Sequence, residues 1–330
     1  MKNIIKLPIL LLFVTLFSCS TPQYRDFGGM VWNTTFSVSY CSEKLLEDSV
    51  RAAFRAVELS VSPFNEKSIV SAVNRGENPV LDSIFRDVFA VSQRVCSIST
   101  GLFDPTIAPI VNIWGFGYEK GLEPTDSAIN EALKTVGILD CKIENRHLLK
   151  KSPDTKFDFS AVAKGYGCDA VARVLENNGC EDYLVEIGGE IAVKGHNAKG
   201  NKWKVMIDAP VETNEQVLHD KLAVIEVTDC GVATSGNYRN YYLDENGNKI
   251  SHTLSPVTGR PVVSDLLSVT VVAQDCATAD ALATACMALG LEKAKEMIEK
   301  EPGVSAFFVT SGKGSEWKTI LTKGFPEIVR

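Results

Sequence analysis

Histidine is scarce in this 330-residue chain: four occur, at 147, 196, 219 and 252, and no two have the spacing of paired metal ligands. That argues against a zinc hydrolase. Nine cysteines are present but no Cys-x-x-Cys, so neither a zinc site nor a disulfide framework is expected. Cys168, Cys276 and Cys286 sit inside helix-like stretches, where cysteine acts as a small buried hydrophobe. No Gly-x-Gly-x-x-Gly follows a strand, and the Walker A spacing is missing, which removes the Rossmann and P-loop signatures. Basic residues are outnumbered, 34 Lys and Arg against 41 Asp and Glu, and the formal charge of -7 argues against a nucleic-acid binder, which normally carries a basic face. Repeats and low-complexity runs are absent too. What remains, 45% hydrophobic and 23% charged residues, is an ordinary globular composition, neither disordered nor multi-spanning.

The first nineteen residues differ from the rest. MKNIIKLPILLLFVTLFSC opens with Lys2 and Lys6, continues as an apolar run too short for a comfortable membrane span, and ends on Cys19. It reads as a secretion signal whose ending resembles a bacterial lipobox, with Cys19 as the lipidated residue after cleavage and Phe17 bulkier than usual. The expected organisation is a lipoprotein signal peptide over 1–19, a tether over 20–28 and one domain over 29–330. Ser20 is not the Asp of an inner-membrane retention signal. The expected location is the bacterial cell envelope, lipid-anchored and facing the periplasm, at the inner or outer membrane.

Along the domain, MVWNTTFSVSYC alternates as a strand does, and EKLLEDSVRAAFRAVELSVS carries Leu46, Val50, Ala53, Phe54 and Val57 at helical spacing. Helices are predicted over about 82–97, 127–136, 164–178, 278–289 and 291–300, and strands at KWKVMI, LAVIEV, SVTVVA and SAFFVT. DYLVEIGGEIAVKG reads as paired strands around Gly188 and Gly189, and STGLFDPTIAPIVNIWGFG, rich in Gly, Pro and aromatics, as an ordered loop. Strict βαβ alternation is missing, so the fold class is α+β.

Three places carry chemistry. FDFSAVAKGYGCDAV runs from a short strand into a helix with Lys164 at the turn, which reads either as an anion site or as a solvated lysine. On TADALATACMAL, Asp280 and Thr284 share a helix face; the pair suits Mg²⁺, and equally a helix cap or polar seam. In TSGNYRNYY and SHTLSPVTGRP, Ser235, Gly236, Tyr238, Arg239 and His252 sit among turn residues, with His252 either a proton acceptor or a structural histidine.

Read in order, NTTFSVSY, VSPFNEKSIVSAVNRG, GLFDPTIAPIVNIWGFG, FDFSAVAKGYGCDAV, YLVEIGGEI, TSGNYRNY, HTLSPVTGRP and ADALATA resemble the ApbE family of flavin transferases, over nearly all of the mature chain. The resemblance implies an α+β fold of mixed or antiparallel sheets with packed helices, ApbE-like and T-fold-related. It implies that FAD is the substrate, that its FMN half moves to a Ser or Thr hydroxyl of a flavoprotein, that AMP leaves, and that Mg²⁺ is used. The implied metal positions are the Ala161 carbonyl, Asp280 and Thr284; the implied flavin contacts are Leu102, Phe103, Asp104, Asp158, Lys164 and His252. Among these, His252 is the first candidate base and Asp280 the second, with Lys164 steadying charge on the phosphates. By analogy, the acceptors are subunits of membrane electron-transfer complexes.

Three positions depart from the family pattern. Trp32 stands where Met is usual and Phe64 where Tyr is usual, both still able to stack on a flavin or adenine ring, and Ser160 replaces a common Gly. Two other functions share the same features: an Mg²⁺-dependent FAD pyrophosphatase releasing FMN and AMP, and a lipoprotein that only binds flavin.

Overall fold

The computed structural model describes residues 23–119, 124–211, 220–237, 241–243, 249–312 and 316–329. The expected leader with Cys19, and Tyr238 and Arg239, lie outside these residues. The chain opens with strands β1 (Tyr24–Val31) and β2 (Thr34–Cys41), followed by helices α1 (Glu47–Val61), α2 (Ile69–Asn74), α3 (Ser83–Ile98), α4 (Ala108–Ile113) and α5 (Asp126–Leu133). After the hairpin β3 (Lys142–Glu144) and β4 (His147–Leu149) come α6 (Ser160–Asn177), β5 (Tyr183–Ile187) and β6 (Glu190–Lys194). Next are β7 (Trp203–Asp208), β8 (Lys221–Val227), β9 (Cys230–Gly236), β10 (Tyr241–Leu243), β11 (Lys249–Ser251) and β12 (Leu266–Ala273). Helices α7 (Cys276–Leu289) and α8 (Leu291–Lys300) then lead to β13 (Ser305–Ser311), β14 (Trp317–Leu321) and β15 (Ile328–Val329).

Eight strands form the main sheet in the order β1-β2-β5-β6-β9-β12-β13-β14, and every neighbouring pair is antiparallel. One face packs on α1, α3, α6 and α7 through Phe85, Phe159, Val171, Leu282 and their neighbours. The other face is covered by the small sheet β15-β8-β7, whose Trp203, Val205 and Ile225 meet Val232, Phe307 and Val309. Hence β12 and β13 read as nearly unbroken apolar runs: both their faces are buried. Each fully buried large side chain of this kind is worth about 2 kcal/mol of transfer free energy. The α+β class of antiparallel sheet and packed helices is what the residue pattern predicts, and the sheet is open, with β1 and β14 at its edges.

Local chemistry explains the boundaries. α3 and α7 start at Asp82 and Asp275, whose carboxylates accept the amides of Phe85 and Thr278 at 2.8 Å. Gly179, at φ 84°, follows the end of α6 as a left-handed stop.

Four expectations are corrected. MVWNTTFSVSYC is not one strand: Trp32 and Asn33 lie at φ 48° and 61° and turn it into a tight hairpin, a conformation asparagine tolerates well. β1 begins at Tyr24, so residues 24–28 of the expected tether belong to the sheet. The loop after Gly101 contains α4, with a proline in its first turn. Finally, α6 starts at Ser160, so Lys164 stands in the second turn rather than at the helix start. Among the described residues no helix is long and apolar enough to cross a membrane.

Candidate active site

A cavity of about 440 Å³ opens where α6, α7, β9 and the 102–107 loop converge. The loop contributes Leu102, Phe103, Asp104 and Pro105; the start of α6 adds Asp158, Ala161 and Lys164. Thr234, Ser235 and Gly236 come from the end of β9, His252 and Pro256 from the segment after β11, and Asp280 and Thr284 from α7. The structure thus brings Leu102, Phe103, Asp104, Asp158, Ala161, Lys164, His252, Asp280 and Thr284 to one cavity. Trp32 and Phe64 are not among its lining residues. Trp32 meets Phe54 edge-on at 5.7 Å and lies over Gly167, whereas exposed Phe64 meets Tyr118 edge-on at 6.3 Å.

Asp280 is held by α6. It is 3% exposed, and its Oδ2 accepts the amide of Gly165 at 2.9 Å. That contact needs glycine: a Cβ at 165 would stand 2.3 Å from the Cys276 carbonyl oxygen and 2.8 Å from the Asp280 Cβ. Gly231 on β9 presses on the same turn from the other side, where a Cβ would come 2.3 Å from the Cys276 nitrogen. One turn along α7, the Thr284 hydroxyl lies 3.3 Å from that of Ser235.

Lys164 is neutralised in place. Its ammonium lies 2.6 Å from Oε1 of Glu190, a buried residue that opens β6 beside the Gly188–Gly189 turn. Burial works against the lysine's charge, but the Glu190 and Asp280 carboxylates outweigh it and hold its pKa above the ordinary value. Burial, with Asp280 adding to it, pushes Glu190 upward while Lys164 opposes.

Two carboxylates expected to meet flavin do structural work as well. Asp104 accepts the amide and hydroxyl of Thr106 through Oδ1, at 2.8 and 2.6 Å, and the amide of Ile138 through Oδ2 at 3.0 Å. Burial nevertheless raises its pKa. Asp158 accepts the Ser160 amide at 2.8 Å, and burial raises it too. The segment before α6, expected as a short strand, makes only a single bridge between Lys156 and Ile107; Asn74 pins it, donating to the Phe157 carbonyl at 2.8 Å and accepting the Phe157 amide at 2.7 Å. The Phe116 ring lies edge-on to His252 at 6.3 Å.

Glu190, Gly165 and Asn74 were not identified as site residues from sequence. A charge immediately after Gly-Gly, at the head of the apolar strand EIAV, is the one sequence signal that could have singled out Glu190. Among the described residues no three His, Cys, Asp or Glu side chains form a metal cluster, so any cation here relies on hydroxyl and carbonyl oxygens beside Asp280.

Asp169 on α6 also anchors α7. Its two oxygens accept the amides of Cys276 and Ala277 at 2.9 and 2.8 Å. Burial outweighs those bonds and pushes its carboxyl up to about 7. An unfolded aspartate titrates near about 4, so between about pH 4 and 7 the folded chain keeps a proton that the unfolded chain has lost. Asp169 therefore favours the folded state fully below that window, and its contribution is lost as pH rises through it. In thermal unfolding from pH 4.5 to 8, Asp169→Asn flattens the decline in stability; an unchanged slope would refute the assignment.

Against known proteins, the ApbE family model matches residues 32–308. The FAD:protein FMN transferase of Haemophilus influenzae is 37% identical over 291 residues, covering 83% of each chain. That of Escherichia coli K12 is 33% identical over 290 residues, 85% of this chain and 80% of the other. Among solved structures, the flavin transferase ApbE of Vibrio cholerae superposes with a TM-score of 0.81 at 31% identity, covering 92% of this chain and 98% of that one. The apo flavinyl transferase ApbE of Pseudomonas stutzeri gives 0.82 at 31% identity, covering 93% and 97%. The sheet order, the cavity at the α6–α7 junction and these matches along most of the sequence have one reading: the chain belongs to the ApbE family.

Proposed function

We propose that this protein cleaves FAD with the help of Mg²⁺, transfers the FMN half to a Ser or Thr hydroxyl of an acceptor flavoprotein, and releases AMP. The observation that carries the reading is the convergence of Asp280, Thr284, Ala161 and Lys164 on one cavity walled by the aromatic 102–107 loop. Its donors suit a hard cation: a carboxylate, a hydroxyl and a backbone carbonyl are all oxygen ligands. Asp280, Thr284 and the Ala161 carbonyl would hold Mg²⁺. Bound there, the ion supplies positive charge to pyrophosphate oxygens as their negative charge grows.

The chain's own groups do the rest. Leu102 and Phe103 give the flavin an apolar wall, and Lys164 places an ammonium beside the phosphates. His252 takes the proton of the acceptor hydroxyl at a ring nitrogen as its oxygen bonds to the FMN phosphorus and the bond to the AMP oxygen breaks. The leader over 1–19 supports export and lipid attachment at Cys19, hence acceptors at the membrane facing the periplasm.

The test is incubation of the chain lacking residues 1–19 with FAD and Mg²⁺, with and without a candidate acceptor flavoprotein. The expected result is an acceptor heavier by one FMN, with AMP released. Free FMN and AMP in both reactions would replace the transferase by a pyrophosphatase, and intact FAD in both would leave only a binding protein.

A further inference from the structure

We propose that Glu190 is a positioning residue that holds the Lys164 ammonium away from Asp280, so that the Asp280 carboxylate remains available to a divalent cation. The inference rests on the metal site proposed above. It starts from three charged groups that line one cavity, Lys164, Glu190 and Asp280. Asp280 bonds the amide of Gly165, and Glu190 bonds the side chain of the preceding residue, Lys164, so the two carboxylates engage consecutive residues of α6. A lysine on a four-carbon stem is a compact charge that changes partner easily. Glu190 holds it at 2.6 Å, and is itself fixed: its backbone pairs with Ile187, and the Cys168 thiol lies 3.2 Å from its carbonyl oxygen.

The other oxygen of Glu190 points to charge as the reason for the residue. Oε2 is buried and has no hydrogen-bond partner among the described residues. A buried carboxylate oxygen left unpaired is costly, and a neutral acceptor would bind the ammonium without carrying a full buried charge. The remaining acids that line the cavity are engaged elsewhere, Asp104 with Thr106 and Ile138, Asp158 with Ser160. If Glu190 lost its charge, Asp280 would be the carboxylate left beside Lys164, and an ammonium bound there would occupy the oxygen that a cation needs.

Calorimetric titration of Mg²⁺ into four proteins tests this: wild type, Glu190→Gln, Lys164→Met and the double variant. Glu190→Gln is expected to weaken Mg²⁺ binding by about ten-fold or more. Lys164→Met is expected to bind as tightly as wild type or tighter, and the double variant to return to within about two-fold of Lys164→Met. Rescue of a lost carboxylate by removing a lysine is an outcome that damaged packing does not produce. Unchanged affinity in Glu190→Gln, or a double variant as weak as Glu190→Gln, would overturn the proposal. Weaker binding by Lys164→Met would do so too, which keeps the test decisive should Glu190→Gln fold poorly. Mg²⁺ binding absent from wild type would overturn the metal site itself, and this inference with it.

Discussion

Asp280→Ala is expected to abolish Mg²⁺-dependent FAD cleavage, lowering turnover by about a thousand-fold or more, while FAD still binds. The carboxylate is the one charged oxygen donor among the three positions offered to the cation, and neither Thr284 nor a backbone carbonyl replaces its charge. The apolar wall of Leu102 and Phe103 does not depend on it, so flavin affinity changes little. Because Asp280 also accepts the Gly165 amide at 2.9 Å, the alanine variant loses a buried bond as well. Asp280→Asn separates the two effects: it keeps an acceptor for that amide, unfolds near the wild-type temperature and is still inactive. Turnover with Mg²⁺ dependence intact in either variant would remove Asp280 from the metal site.

The second large effect is structural and its sign is the test. On an exposed helix, Gly→Ala stabilises by about 1 kcal/mol. At Gly165 the opposite is expected. The new methyl would stand 2.3 Å from the carbonyl oxygen of Cys276 and 2.7 Å from its carbon, both backbone atoms that a rotamer change does not move. Helix α7 cannot retreat, because Gly231 presses on the same turn from β9. A loss of about 3 kcal/mol or more follows for Gly165→Ala, some 6 °C or more in Tm. Turnover falls with it, since Ala161 and Asp280 sit on the two helices being forced apart. Calorimetry that shows a raised melting temperature would mean the helices are not in contact there.

Both predictions explain how much was legible in the sequence. α3 announces itself through apolar spacing and its Asp82 cap, α8 through apolar spacing, and strands β5 and β6 through Gly188 and Gly189. Local signals of this kind need only neighbours along the chain. Asp280 and Thr284 share a face for the same reason, and the family resemblance brought Ala161, Lys164 and His252 to them, all on one cavity in the structure. What stayed hidden depends on contacts between distant residues. Gly165 has meaning only against Asp280, 115 positions away, and Glu190 only against Lys164. The surroundings of Trp32 were hidden for a related reason. Trp32 has the right chemistry to stack on a ring, but the turn at Trp32 and Asn33 directs it onto Gly167 and Phe54.

The order of the main sheet has a consequence for assembly. Its strands lie in space in the sequence in which they occur along the chain, the helices and the hairpin β7-β8 entering as excursions between one strand and the next and β15 following the last. No strand has to be threaded between two that have already paired. A polypeptide delivered N-terminus first can therefore zip strand by strand, β1 with β2, then β5, then β6, each arrival covering the edge left by the last. The cavity, however, is closed by α7, which follows the sixth of those eight strands. Ligand binding is thus among the last properties the nascent chain acquires, and a shortened chain ending before residue 276 is expected to retain sheet without retaining affinity for FAD.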